Sequence, residues 1–157
     1  HHRFDHIHFW ASDVQASCNW FSTHLGLSAR VLPQPKLADP ESLGAIWMGF
    51  LQADSVNLVF FGRPDFETMW WPGTLYETND GPGEEFEPTR GSVVDRIGFS
   101  YRDIDPVLER MRSTGAEIVR GIEIDPDFGF RSFLVAGPDG MLVEIVEERS
   151  IPDEIWD

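Results

Sequence analysis

GPDGMLVEIVE, residues 137–147, is the stretch on which the fold assignment of this chain rests. Its Gly-Pro-Asp-Gly start is typical of a tight turn, and the apolar run after it is typical of a strand. One carboxylate, Glu144, lies in that run between Val143 and Ile145. Because burying an unpaired carboxylate is costly, the sequence predicts that a metal, a cation or a hydrogen-bond donor meets Glu144.

Two earlier stretches resemble one another and indicate an internal repeat. FDHIHF spans residues 4–9 and VDRIGF spans residues 94–99, so a shift of ninety residues aligns them. The same shift aligns Asp13 with Asp103, each of which precedes a segment with helical spacing of apolar residues. The repeat predicts two copies of one β-α-β-β-β unit.

The predicted elements follow the repeat along the chain. The first helix runs from an N-cap at Asp13 to Gly26, and the second runs from Asp103 to Gly115. The predicted strands cover residues 4–10, 27–34, 44–50, 55–61, 94–99, 117–123, 129–136 and 142–147. The predicted organisation is a first module (1–61), a connecting loop that is a possible lid (62–92), a second module (93–148) and a C-terminal tail (149–157).

Composition restricts the classes of function. The net charge of −15 and a single lysine, Lys36, argue against nucleic-acid binding. No apolar run approaches the roughly 20 residues of a membrane helix, and no signal-peptide pattern is present. Cys18 is the only cysteine, which excludes an internal disulfide and a thiolate metal cluster. The compartment stays open, with a cytoplasmic location favoured.

Two histidines share one face of the first predicted strand. Because side chains alternate along a strand, His6 and His8 point one way, and Ile7 and Phe9 point the other. One interpretation is functional, in which the two histidines transfer protons or ligate a metal. The other is structural, in which they are two polar residues held by hydrogen bonds.

Two further residues in the first predicted helix are assigned structural roles. Cys18 lies on the apolar stripe with Val14 and Phe21, so it is predicted to pack in the core. His24 lies in the last turn, where a partial positive charge would suit the helix dipole, and we expect a structural or solvated side chain.

Four motifs together resemble the vicinal oxygen chelate superfamily, which includes glyoxalases, extradiol dioxygenases, methylmalonyl-CoA epimerases and bleomycin- or fosfomycin-resistance proteins. They are DHI in the first strand, WFSTHLG at the end of the first helix, DRIGFS in the repeat and GPDGMLVEIVE. The resemblance implies an α+β fold in which two tandem βαβββ modules form a curled mixed sheet around a concave cavity.

The resemblance also implies positions for a metal site. Carried over one by one, the family's ligands fall on His6, Asn57, Arg96 and Glu144. Only His6 and Glu144 are good ligands, because an amide oxygen is weak and a guanidinium stays protonated. We therefore expect no cofactor, and a bidentate Arg96–Glu144 pair in place of the ion. The alternative is a divalent metal on His6 and Glu144, with His8 as a replacement ligand.

The leading hypothesis is a protein that binds a small organic molecule and transforms it by metal-independent proton transfer, as an isomerase, lyase or cyclase. His6 or Glu144 would be the base, and Arg96 would hold oxyanion charge, unless Arg96 only forms a structural salt bridge. The predicted substrate-binding residues are His8, Asn57, Trp70 and Trp71. The alternatives are a divalent-metal glyoxalase- or dioxygenase-like enzyme and a non-catalytic drug-sequestering protein. A homodimer, and no nucleic-acid or membrane partner, are expected.

Overall fold

Each half of the chain contributes one helix and four strands to the computed structural model, which describes residues 5–35, 43–62 and 86–148. The boundary between the two units lies between Glu87 and Pro88. The first unit contains β1 (His6–Ala11), α1 (Val14–Leu25), β2 (Ser28–Pro35), β3 (Leu43–Ala53) and β4 (Val56–Gly62). The second contains β5 (Ile97–Tyr101), α2 (Asp105–Ser113), β6 (Ile118–Ile124), β7 (Arg131–Ala136) and β8 (Leu142–Glu147).

The two sheets have the same topology. The strand order is β1-β4-β3-β2 in one and β5-β8-β7-β6 in the other, with four strands in each. In both, the first strand is parallel to the last strand of its module, and the remaining neighbours are antiparallel. The predicted α+β fold with two tandem βαβββ modules is therefore confirmed, and with it the internal repeat.

Helix α1 begins and ends where its local sequence predicts. The Asp13 carboxylate accepts a hydrogen bond of 2.9 Å from the Ala16 amide, which satisfies a free donor at the helix start. Gly26 adopts a left-handed φ of 73°, and its amide donates to the Ser22 carbonyl. Cys18 is fully buried on the inner face of α1, as predicted. Burial also raises the pKa of its thiol, so it is a poor nucleophile.

Aromatic rings join α1 to the first sheet. Phe60 in β4 is 1% exposed and stacks on Phe9 in β1, with ring centroids 5.0 Å apart. Phe21 in α1 contacts the same Phe60 ring at 5.5 Å. The face of β1 that carries Phe9 is therefore the face covered by α1, and His6 and His8 lie on the opposite face.

Helix α2 starts later than the sequence prediction. Its first residue is Asp105, and the preceding Ile104 has no side-chain capping hydrogen bond. The Asp103 carboxylate instead accepts from the Asp105 amide at 3.0 Å, a local turn rather than an N-cap. The predicted end at Gly115 is confirmed, because Gly115 has a φ of 83° and the Ala116 amide donates to the Met111 carbonyl.

Two predicted segments lie partly or wholly outside the described residues. Of the predicted loop 62–92, residues 63–85 are not described, and neither is the tail 149–157. Residues 88–92 belong to the second unit, where the Leu142 amide donates to Thr89 Oγ1 at 2.9 Å. The predicted domain boundaries and the lid stay predictions. No helix among the described residues is long and apolar enough to cross a membrane.

His24 has a structural role, and its burial disfavours the positive charge that would suit the helix dipole. It is 7% exposed, and its ring contacts that of Trp20 with centroids 5.0 Å apart. Burial lowers the pKa of the imidazole below 6.5, because the charged form loses its hydration.

We therefore expect His24 to make the protein less stable in mild acid. The unfolded chain binds a proton at His24 more readily than the folded chain does, so the free energy of unfolding decreases as pH falls through about 6.5. Urea unfolding of wild type and His24→Gln between pH 7.5 and 5.0 measures this, and the variant should show the smaller decrease. Equal decreases would contradict the expectation; His8, whose pKa burial and His6 also lower, contributes equally to both proteins.

Candidate functional site

The first module places three of the predicted site residues close together. His6 and His8 are exposed on the face of β1 opposite α1, with ring centroids 5.8 Å apart at an angle of 70°. Asn57 in β4 is the register partner of His6, so the two side chains are neighbours on that face. Both imidazoles and the Asn57 side-chain amide therefore lie together on one face of this module.

His6 has a carboxylate partner that sequence reasoning did not assign. Asp5 Oδ2 lies 2.6 Å from His6 Nδ1. The main-chain carbonyl of Asp5 accepts a hydrogen bond of 2.9 Å from the main-chain N–H of Asn57. The tautomer that donates Nδ1–H to Asp5 leaves Nε2 unprotonated. His6 in this tautomer can accept a proton through Nε2, as a general base requires.

The second module brings Arg96 and Glu144 together, but not as the predicted bidentate pair. Arg96 Nη1 lies 3.9 Å from Glu144 Oε1, which is an ion-pair distance and too long for a hydrogen bond. Arg96 Nε instead donates to Asp95 Oδ2 at 2.7 Å. The bidentate expectation was therefore wrong, and the hydrogen bond of Arg96 goes to the neighbouring Asp95.

Asp95 is itself held firmly by the backbone. Its Oδ1 accepts from the Gly91 amide at 2.6 Å, and its carbonyl accepts from Thr89 Oγ1 at 2.8 Å. The Gly91 hydrogen bond and then the one from Arg96 hold the pKa of Asp95 below its usual value. Asp95 is therefore an ionised anchor that fixes Arg96, just as its repeat partner Asp5 contacts His6.

Arg120 is a site residue that sequence reasoning missed. Its Nη2 lies 3.9 Å from the same oxygen of Glu144 that faces Arg96. Arg120 in β6 pairs with Leu134 in β7, which pairs with Glu144 in β8, so one row of residues crosses the sheet. The signal that could have found it is the repeat, because the shift of ninety residues aligns Arg30 with Arg120.

Strand pairing does not make Asn57 the equivalent of Glu144 in the first module. Glu144 is the partner of Gly98, which the repeat aligns with His8, and the partner of His8 is Val59. Val59, and not Asn57, therefore occupies the position of Glu144 in the first module. The first module holds a buried aliphatic side chain there, 7% exposed, where the second holds a carboxylate.

Neither module, taken by itself, offers a complete set of divalent-metal ligands among its described residues. Among these residues, neither module contains a group of three or more His, Cys, Asp or Glu side chains placed to hold an ion. Glu144 has two guanidinium groups within 3.9 Å of one oxygen, and positive charges at that distance repel a divalent ion.

The two other predicted binding residues, Trp70 and Trp71, lie outside the described residues.

Comparisons with known proteins agree with the fold. Residues 3–145 match the family model of the Glyoxalase/Bleomycin resistance protein/Dioxygenase superfamily. Among curated protein sequences, none matches the chain. TioX from Micromonospora sp. ML1 is a similar structure, with a TM-score of 0.63, 19% identity, and coverage of 94% of this chain and 100% of that one.

Two other solved structures have the same fold. Lactoylglutathione lyase from Agrobacterium tumefaciens has a TM-score of 0.61 and 16% identity, with 92% of each chain covered. A glyoxalase family protein from Enterococcus faecalis has a TM-score of 0.56 and 21% identity, covering 90% of this chain and 94% of that one. At these identities the similarity shows the fold alone.

Proposed function

Because this chain belongs to the Glyoxalase/Bleomycin resistance protein/Dioxygenase superfamily, also called the vicinal oxygen chelate superfamily, we propose that it transforms a small organic molecule by metal-independent proton transfer. The reaction class is that of an isomerase, lyase or cyclase. The observation that supports this proposal is the ion pair between Arg96 and Glu144, with a nitrogen–oxygen distance of 3.9 Å. Arg96 stands at the position where the resemblance implies a metal-ligating histidine.

The chemistry follows from what these groups can donate and accept. Glu144 or His6 accepts a proton from a carbon next to a carbonyl group, and the electron pair of the C–H bond moves onto the carbonyl oxygen. The guanidinium of Arg96 donates hydrogen bonds to the negative oxygen that forms. Return of the same proton to another face or another carbon completes an isomerisation without a co-reactant.

The surroundings of Glu144 leave its carboxylate able to accept a proton from a substrate. Its side chain is 19% exposed, and neither guanidinium next to it comes within hydrogen-bond distance. A carboxylate without a short hydrogen bond to arginine keeps its lone pairs for a substrate proton. His6, with its Nδ1 on Asp5, is the second candidate base.

Proton exchange in D₂O tests the proposal directly. We expect metal-stripped protein in EDTA to exchange C–H hydrogens of at least one member of a panel of ketones, keto acids and aldehydes, as followed by NMR. Elemental analysis of untagged protein accompanies the assay. Exchange that appears only after a divalent ion is added would overturn the metal-independent mechanism, and saturable binding of panel members without exchange would support a non-catalytic binder.

The oligomeric state is part of the same proposal. We expect the protein to be a homodimer that binds a small-molecule ligand, as the superfamily resemblance implies. Sedimentation equilibrium at micromolar concentration measures the assembly independently of activity.

A further inference from the structure

Arg120 is fixed in place by contacts that leave part of its guanidinium unused. Its Nη2 donates to Ser132 Oγ at 2.7 Å, and the Ser132 residue is 4% exposed. Its Nε lies 3.5 Å from Glu123 Oε2 and makes no hydrogen bond within the part of the chain that the structure describes. The side chain is 32% exposed, so solvent reaches part of an otherwise anchored cation.

Arg96 is also anchored near Glu144, but through a different atom. Its Nε is held by Asp95, while its Nη1 lies 3.9 Å from Glu144 Oε1. Arg96 directly precedes β5, which pairs with β8 on one side, and Arg120 lies in β6, beyond β7 on the other side, so the two residues come from different sides of the strand that carries Glu144. Hydrogen bonds to carboxylates span about 2.7–2.9 Å, so both guanidiniums attract Glu144 and neither binds it closely.

We infer that Arg96 and Arg120 together bind a carboxylate group of the substrate beside Glu144. The inference rests on the proposed function, because the bound molecule is a substrate only if the protein is an enzyme. The binding of a carboxylate is testable by itself. Each guanidinium carries five N–H donors, and the contacts described above occupy only some of them. A planar carboxylate matches the geometry of arginine, which binds it through paired hydrogen bonds.

The local charges favour a monoanion over a phosphate. Arg96 and Arg120 contribute two positive charges, and three carboxylates surround them: Asp95, Glu123 and Glu144. The Asp95 and Glu123 carboxylates contact the Nε sides, whereas the Nη groups face Glu144. A dianionic phosphate would double both its attraction to the two arginines and its repulsion by the three carboxylates, and because the carboxylates outnumber the arginines the added repulsion is the larger of the two.

An NMR titration with acetate, at fixed ionic strength, tests the inference. We expect acetate to bind wild type measurably, the neutral analogue acetamide not to bind, and phosphate to bind more weakly than acetate. Arg120→Gln should weaken acetate binding by about ten-fold or more, because an arginine–carboxylate interaction is lost. Arg120→Lys should restore part of the affinity through its charge.

Arg102→Gln is the matched control. Arg102 belongs to the same module, is 94% exposed and lies 3.8 Å from Glu148, so its loss should leave acetate binding unchanged. Circular dichroism establishes that each variant is folded, and Arg120→Lys replaces Arg120→Gln if that variant unfolds. Acetate binding that is equal in wild type and the Arg120 variants, or that Arg102→Gln weakens equally, would overturn the inference.

The outcome is separable from that of the proposed function. Acetate binding that depends on Arg120, in a protein that exchanges no C–H hydrogen, would support the carboxylate site and reject proton-transfer catalysis. C–H exchange in a protein whose acetate affinity does not change on substitution of Arg120 would support proton-transfer catalysis and reject the carboxylate site.

Discussion

Glu144→Gln is expected to lower the rate of C–H exchange by about 10²- to 10⁴-fold, the range that a positioned general base contributes. Glutamine keeps the size of the side chain and an oxygen acceptor, but an amide does not take up a proton near neutral pH. Glu144 lies 3.9 Å from both Arg96 and Arg120, and those arginines are partly exposed. We expect only a small loss of stability, because partly exposed ion pairs contribute little.

The measurement is NMR exchange in D₂O with whichever carbon acid of the panel the wild type exchanges. Glu148→Gln is the matched control, since Glu148 follows the same strand, is exposed and pairs only loosely with Arg102 at 3.8 Å. The control should keep the wild-type rate.

His6→Gln identifies which of the two candidate bases acts. If Glu144→Gln exchanges within twofold of wild type while His6→Gln loses exchange, the base is His6 and the assignment to Glu144 is wrong. If both variants lose exchange, the assignment of the base to Glu144 alone is wrong. Loss in Glu144→Gln alone is the result that the present assignment requires.

Sequence alone predicted the elements of this fold well, for reasons that are local. Period-2 alternation in His6–Phe9 fixed the strand and its two faces, and the Asp13 side chain fixed the start of α1. Gly26 and Gly115 end their helices because each adopts a positive φ that other residues rarely adopt. These signals act within a few residues, so one chain suffices to detect them.

The side-chain contacts of the candidate site were less predictable because they depend on register and competition. Arg96 has a carboxylate one residue away, at Asp95, and it donates a hydrogen bond to that local partner and none to Glu144. Arg120 reaches Glu144 only because β7 lies between β6 and β8 with a particular register. That register cannot be derived from a single sequence, so the sequence analysis predicted one arginine beside Glu144 where the structure has two.

Gly49→Ala is expected to destabilise the first module by about 1–3 kcal/mol, the usual effect of an added group in a packed core. Gly49 lies in β3, where α1 covers the sheet. A Cβ at this position would collide with Cys18 Sγ and would lie 2.9 Å from Val14 Cγ1. Both partners are buried, at 0% and 2% exposure, so neither can move aside freely.

Gly121→Ala is the control for the glycine itself. Gly121 is exposed in β6, and nothing lies within 4 Å of a Cβ built there. Urea unfolding should therefore show a change within about 0.5 kcal/mol, the range for surface substitutions. A control that is destabilised as much as Gly49→Ala would attribute the effect to the loss of glycine and not to the collision.

The double variant Cys18→Ala/Gly49→Ala tests the cause of the destabilisation. Cys18→Ala removes the sulfur that the new Cβ would meet, so the double variant should be more stable than the sum of the two single changes predicts. Contacting residues typically couple by about 0.5–3 kcal/mol in such a cycle. Rescue should be partial, because Val14 Cγ1 remains 2.9 Å from the new Cβ. Strict additivity would mean that α1 shifts away from β3 without strain, and that the small residues at positions 18 and 49 do not determine how closely the helix packs on the sheet.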